Sequence, residues 1–209
     1  MIRYESGACL CDVPAGVQKK DSADMDAPCQ NFMAAVPTNG GAALALASRT
    51  KYGFRHFNGL LRLNLIRSSY DPDEYLELGA HKFELRLGVM DGEAEDAVKS
   101  AMEYMHPICV VSGGFHTGTL PPRYSGINIS GACVSGIKMS EDGKLIIARL
   151  YNIKDKDADV TIEFAEKVSN AMFLDITERF VSRLVSDGNR VSVGIPAYSL
   201  RTVGVELVV

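Results

Sequence analysis

Apolar residues recur at every second position along several short stretches of the chain, the period of half-buried β-strands. Between residues 48 and 87, Lys51-Tyr52-Gly53-Phe54 leads through Asn58-Gly59 into Leu60, Leu61, Leu63, Leu65 and Ile66. An asparagine-glycine pair between two such runs predicts a hairpin entering a buried sheet. After Arg67 the polar run Ser68-Ser69-Tyr70-Asp71-Pro72-Asp73 predicts a turn-rich acidic loop, and alternation resumes at His81, Phe83, Leu85 and Leu87. Upstream, residues 1 to about 20 read as a strand and its exit, 19–26 as a polar surface loop, and 32–36 as the start of the next strand. The run from Ala42 to Ala47 suits a helix by propensity alone, but its shortness, its flanking glycines and the strand that follows favour β.

One stretch has the helical period. Over 93–105, Ala94, Ala97, Val98, Ala101, Met102 and Met105 form one stripe, with Glu95, Asp96, Lys99 and Glu103 largely opposite. Acidic residues in the first turn complement the helix dipole, and Pro107 stops the element. Glycine is dense between 111 and 135, which reads as a linker and places a domain boundary there. Beyond it, 134–138, 145–152, 160–164, 172–176, 191–195 and 200–207 read as short strands, a small antiparallel sandwich of about six.

Composition narrows the function classes. The chain has 209 residues, 46% of them hydrophobic and 23% charged, ordinary values for a globular protein able to bury a sizeable core. A net charge of −4 argues against a polyanion-binding surface, so nucleic acid is not an expected partner. Cys9, Cys11, Cys29, Cys109 and Cys133 are odd in number and lack paired CxxC spacing, which favours reduced thiols and a cytoplasmic setting. No apolar run is long enough for a membrane-spanning helix, and homo-oligomerisation stays open.

Candidate chemistry is sparse. Acid–base or nucleophilic catalysis by carboxylates needs two of them facing one another across a substrate. Asp71 and Asp73 are of the right type, but they flank Pro72 in a run where carboxylates start turns. His56, His81, His106 and His116 are scattered without HxH or HExxH pairing, so the residues predict no metal or other cofactor in this chain. Arg67, at the end of an apolar strand, pairs in the plainest reading with Asp71, Asp73 or Glu77.

Read in order, these motifs resemble the C-terminal region of glycoside hydrolase family 38, the α-mannosidases. The resemblance rests on Lys51-Tyr52-Gly53, the asparagine turn, the leucine-rich strand ending in Ile66-Arg67-Ser68, the Pro72-Asp73 loop and Gly79-Ala80-His81-Lys82-Phe83. Upstream it includes Val13-Pro14-Ala15-Gly16-Val17 and Ala27-Pro28-Cys29-Gln30-Asn31-Phe32; downstream, Leu150-Tyr151-Asn152 and Asp175-Ile176-Thr177-Glu178-Arg179. It implies a mostly β fold: residues 1–125 as the later part of a mutarotase-like β-supersandwich with one helix, then 126–209 as a small immunoglobulin-like β-sandwich.

The same resemblance implies a non-catalytic C-terminal portion of a zinc-dependent retaining α-mannosidase. The nucleophile, the acid/base and the zinc ligands would lie in an N-terminal barrel outside this chain. That barrel, a helical domain of the same larger chain and α-mannoside oligosaccharides are the implied partners. The loop after the leucine-rich strand would reach the substrate rim, making Arg67, Tyr70, Asp71 and Asp73 the implied sugar contacts. Two other classes remain: a free-standing carbohydrate-binding module, disfavoured by the lack of tryptophan, and a mutarotase-like epimerase using His81 with Glu84 or Asp73.

Overall fold

The structure, a computed structural model, describes residues 6–38, 41–68, 71, 77–91, 94–114, 117–119 and 121–208. Tyr70, Asp73, His116 and Glu93, the expected first helical residue, lie outside this set. The chain divides into two units, Met1–Val110 and Val111–Val209. Both are antiparallel β structures, and the first carries one helix, in agreement with the mostly β expectation.

The first unit contains β1 (Ser6–Val13), β2 (Gly16–Asp21), β3 (Ala27–Pro28), β4 (Phe32–Pro37), β5 (Ala43–Ser48), β6 (Gly53–Phe57), β7 (Leu60–Leu63), β8 (Leu85–Met90) and α1 (Ala94–Met105). One sheet has the order β2-β1-β4-β5-β8 and a smaller one β3-β6-β7. The register puts Cys9, Cys11, Met33 and Leu46 on one face of the large sheet, and these pack with Cys29, Phe54, Leu61 and Leu63 from the side of the small sheet. The opposite face carries a run of alanines beside Leu10 and Phe32. Ala34, Ala43, Ala45 and Ala47 lie there, and α1, which buries Ala97, Val98 and Ala101, packs against β4, β5 and β8. Small side chains on both partners let helix and sheet approach closely.

Arginines hold the helix in place. Arg86 Nη1 on β8 donates to the Ser100 carbonyl (3.1 Å), and Arg49 donates to the Tyr104 carbonyl through Nε (3.2 Å) and Nη2. The last turn of α1 has no basic residue of its own, so Arg49 supplies the positive charge that its carbonyl end attracts. Its guanidinium also lies 4.5 Å from the centre of the Tyr104 ring.

A buried carboxylate ties β1 to β4. Asp12 Oδ1 accepts the backbone N–H of Asn31 (2.7 Å) and of Phe32 (3.1 Å), and Oδ2 accepts Asn31 Nδ2 (2.9 Å). Burial pushes the Asp12 carboxyl above the usual carboxylate range, against the pull of these donors.

Several expected boundaries shift. The first stretch is a hairpin and not one strand: Pro14-Ala15 turns it, with Ala15 at φ 55°, and Lys19 to Asp21 belong to β2 instead of a loop. As the sheet edge, β2 has no apolar side for the pattern to reveal. The leucine-rich strand ends at Leu63, so Leu65 and Ile66 lie outside it, and the later strand starts at Leu85, past His81 and Phe83. On β8 the apolar side of the alternation is the exposed one, with Leu85 43%, Leu87 56% and Val89 74% accessible. Arg86 and Gly88 instead face α1, where Arg86 reaches the Ser100 carbonyl and the Ser100 Oγ is 3.8 Å from where a Gly88 Cβ would stand.

The second unit has nine strands among the described residues, not six: β9 (Ile127–Ser130), β10 (Cys133–Met139), β11 (Ile146–Tyr151), β12 (Ala158–Phe164), β13 (Val168–Leu174), β14 (Phe180–Arg183), β15 (Ser186–Asp187), β16 (Arg190–Ile195) and β17 (Leu200–Leu207). They form sheets β10-β11-β17-β13-β14 and β15-β16-β12-β9. Val160, Ile162, Phe164, Val191, Val193 and Ile195 from one sheet meet Ala148, Leu150, Ala171, Val203 and Val205 from the other, a sandwich core. Asn152 locks one end: its Nδ2 donates to the carbonyls of Lys156 (2.8 Å), Ile195 (3.2 Å) and Pro196 (3.2 Å).

Candidate functional site

The cleft that includes Arg67 lies in the first unit and has a volume of about 440 Å³. Its wall begins where β5 ends. The buried Ser48 hydroxyl accepts the N–H groups of Thr50 (3.3 Å) and Lys51 (3.1 Å), which fixes the turn into Tyr52 and Gly53. Tyr52 is tied by its carbonyl to the Cys29 N–H (2.9 Å), yet is 58% exposed. The type I′ hairpin of β6 and β7, with Asn58 at φ 50° and Gly59 at φ 67°, then returns the chain so that Asn64, Leu65 and Arg67 line the same cleft.

Asp26 is the most firmly fixed polar group there. Arg55 Nε donates to Asp26 Oδ1 (2.7 Å) while Arg55 Nη1 holds Asp24 Oδ1 (2.7 Å). Asn64 Nδ2 donates to Asp26 Oδ2 (2.5 Å). The Arg55 guanidinium, then Asn64 and the more distant charge of Arg67, hold the Asp26 carboxyl below the usual range. Gly53 leaves room for this arrangement, because a Cβ there would stand 3.2 Å from Asn64 Nδ2 and press on it.

Of the expected site residues, Arg67 is exposed on the cleft wall and forms no ion pair with Asp71 or Glu77. Asp71 is exposed and does not line the cleft, and Tyr70 and Asp73 lie outside the described residues. The epimerase pair is otherwise engaged. His81 Nε2 lies 3.0 Å from the Glu77 carbonyl and its ring stacks on Phe83, while Glu84 is paired with Lys82 (3.2 Å) and Arg49 (3.0 Å). Asp26, Tyr52, Asn64 and Lys51 were not singled out as site residues by the sequence. Lys51-Tyr52-Gly53 was visible as a motif, but Asp26 sat in what read as a polar loop.

The described histidines do not assemble a metal centre. His56 is buried with Nε2 2.6 Å from Ser6 Oγ, and burial pushes its pKa down. Among the described residues no three His, Cys, Asp or Glu side chains are grouped to hold a metal ion, and the zinc that the resemblance implies would belong to the barrel outside this chain.

A solved structure of a protein in the glycosyl hydrolase family 38 from Enterococcus faecalis has the same fold over 97% of this chain, at a TM-score of 0.77 and 13% identity. Residues 131–203 match the family described as glycosyl hydrolases family 38 C-terminal beta sandwich domain. Together these likenesses support a C-terminal β domain of the glycoside hydrolase family 38 kind, most directly over residues 131–203. Two curated relatives agree: "Alpha-mannosidase G" of Dictyostelium discoideum, 25% identical over 65% of this chain, and "Alpha-mannosidase 2C1" of Homo sapiens, 25% identical over 66%. The chain spans 13% and 14% of the length of these two relatives and 25% of the solved structure.

Within the sandwich of the second unit, the Asp175-Ile176-Thr177-Glu178-Arg179 motif is a charged turn. Asp175 Oδ1 accepts the N–H groups of Thr177 (2.8 Å) and Arg179 (2.9 Å), and Glu178, at φ 67°, receives Arg149 Nη2 (2.6 Å) and Lys138 Nζ (2.8 Å). These partners hold both carboxyls below their usual range: the Arg179 N–H first for Asp175, Lys138 first for Glu178.

Proposed function

We propose that the chain serves as the C-terminal, non-catalytic β portion of a larger zinc-dependent, retaining α-mannosidase. In this reading the nucleophile, the acid/base and the zinc ligands belong to a catalytic barrel elsewhere in that protein, which also has a helical domain. The chain braces the barrel and lends Arg67, with Tyr70, Asp71 and Asp73, to the rim around bound α-mannoside. The observation that carries the reading is the match of residues 131–203 to the family 38 C-terminal sandwich, joined to relatives named as α-mannosidases. The position of Arg67 on an open cleft, free of an ion pair with Asp71 or Glu77, supports its role at the rim. Five unbridged cysteines support a reducing, cytoplasmic setting, and no helix among the described residues is long and apolar enough to cross a membrane.

Aryl α-mannoside hydrolysis is the test. The 209-residue chain alone should give none, and turnover that follows this chain through purification would overturn the non-catalytic reading. In the larger protein, Arg67→Ala should lower kcat/KM by about tenfold to a hundredfold with the fold intact, since misplacing a substrate by about 1 Å costs on that order. Unchanged kinetics would remove Arg67 from the rim.

A further inference from the structure

We propose that the Asp26–Tyr52 cleft is a binding site for one neutral pyranoside ring, usable by this chain on its own; the choice of a sugar rests on the reading above, but the site is argued from its own lining. The first observation is charge balance. The cleft presents two carboxylates, Asp26 and Glu77, against two cations, Lys51 and Arg67, so their charges cancel and neither an anion nor a cation is favoured. A neutral ligand rich in hydroxyl groups uses both signs, donating to the carboxylates and accepting from the cations.

The second observation is the state of Asp26. Each of its oxygens already accepts one fixed donor, Arg55 Nε on Oδ1 and Asn64 Nδ2 on Oδ2, which leaves one further acceptor site on each. A carboxylate locked in this way accepts two neighbouring hydroxyls as a pair, with little ordering cost at binding. The third observation is the apolar surface. Tyr52 is largely exposed, and Pro28 and Leu65 line the same cleft, so the C–H face of a pyranose has a ring to lie against while its hydroxyls reach Asp26 and Arg67. The volume of about 440 Å³ is within the range of small-molecule pockets and takes one ring with accompanying water. An open cleft with one aromatic platform implies weak, millimolar affinity.

The 209-residue chain should be titrated with methyl α-mannopyranoside and, separately, methyl α-glucopyranoside, with sodium sulfate as the anionic probe. Saturation-transfer NMR should reach the ring protons of at least one glycoside, and amide shifts should centre on Gly53, Asn64 and Leu65. Tyr52→Ala and Asp26→Asn should each weaken binding about tenfold or more, the equivalent of about 1.4 kcal/mol. Asp26→Asn keeps the side-chain shape, and Arg55 keeps Asp24, so a dispersed amide spectrum is expected to persist. Three results would overturn the proposal: no transfer to either glycoside from a folded chain, binding that ignores both variants, or sulfate shifting the same amides more strongly than the sugars do. Failure here leaves the α-mannosidase reading standing, because that reading is decided by hydrolysis and by Arg67→Ala in the larger protein.

Discussion

Asp12→Ala tests whether the first unit is held together at the junction of β1 and β4. The substitution removes a carboxylate that is only 5% exposed and strands three donors: the backbone N–H of Phe32, the backbone N–H of Asn31 and the Asn31 side-chain amide. Phe32 is buried, so its N–H finds no water and costs the full penalty of an unmade hydrogen bond, about 1–3 kcal/mol. Asn31 is half-buried, and its two donors recover part of their loss from solvent, adding on the order of 1 kcal/mol. The first unit should therefore lose about 2–4 kcal/mol. A single melting curve would mix the two units, so the readout is hydrogen exchange in urea, followed separately for core amides of β4 and of β17. Protection should fall in β4 and stay unchanged in β17. Asp12→Asn keeps one acceptor and should fall between wild type and Asp12→Ala. A loss below about 0.5 kcal/mol in β4 would refute the idea that the carboxylate organises this junction.

Two further outcomes concern the second unit. Gly131, at φ 93°, follows β9, and a Cβ there would stand 2.4 Å from the Asp159 carbonyl oxygen on β12; because that obstacle is backbone, Gly131→Ala should cost on the order of 3 kcal/mol and loosen the β9–β12 edge first in hydrogen exchange. Glu178 and Asp175 have folded pKa values below their unfolded ones, so their contribution is present above the ordinary carboxylate range and is lost as pH falls through the depressed values. The urea midpoint of the second unit should hold near neutrality and drop in acid, and Glu178→Gln should flatten that drop; a midpoint that instead rises in acid would reverse the assignment.

Much of the fold could be read from the chain because its signals are local. Asn58-Gly59 can adopt the two positive φ angles of a type I′ turn, and the alternation of Val160, Ile162 and Phe164, or of Val191, Val193 and Ile195, marks an inward face directly. The same logic shows why β2, β14 and β15 were missed. They are sheet edges with little or no buried side, and burial is what the pattern records. The four-residue β9 was lost among glycines and prolines. The candidate site was least legible. Its lining comes from 26–28, 50–53, 64–67 and 77, and what joins these segments is the reach of Arg55 and Asn64 to Asp26 across 29 and 38 residues. A side-chain bridge of that span leaves no period or spacing in the sequence.

The distribution of carboxylates bears on what such a chain can do. A general acid at neutral pH needs a carboxyl whose pKa is raised in a cleft open to substrate. In this chain Asp26, Glu84, Asp142, Asp175 and Glu178 are all held below their usual range, by Arg55, Lys82, Ser140, the Arg179 N–H and Lys138 respectively. Asp12 is pushed the other way, but it is buried, committed to Asn31 and Phe32, and lines neither the cleft nor any wall beside Tyr52. Among the described residues, this pattern is in keeping with the non-catalytic role proposed above, since Asp26, one of the two carboxylates on the cleft, is tuned to remain charged. An Asp26 that stays ionised is a poor proton donor and a strong, fixed hydrogen-bond acceptor, which suits it to hold a hydroxyl and not to break the glycosidic bond beside it.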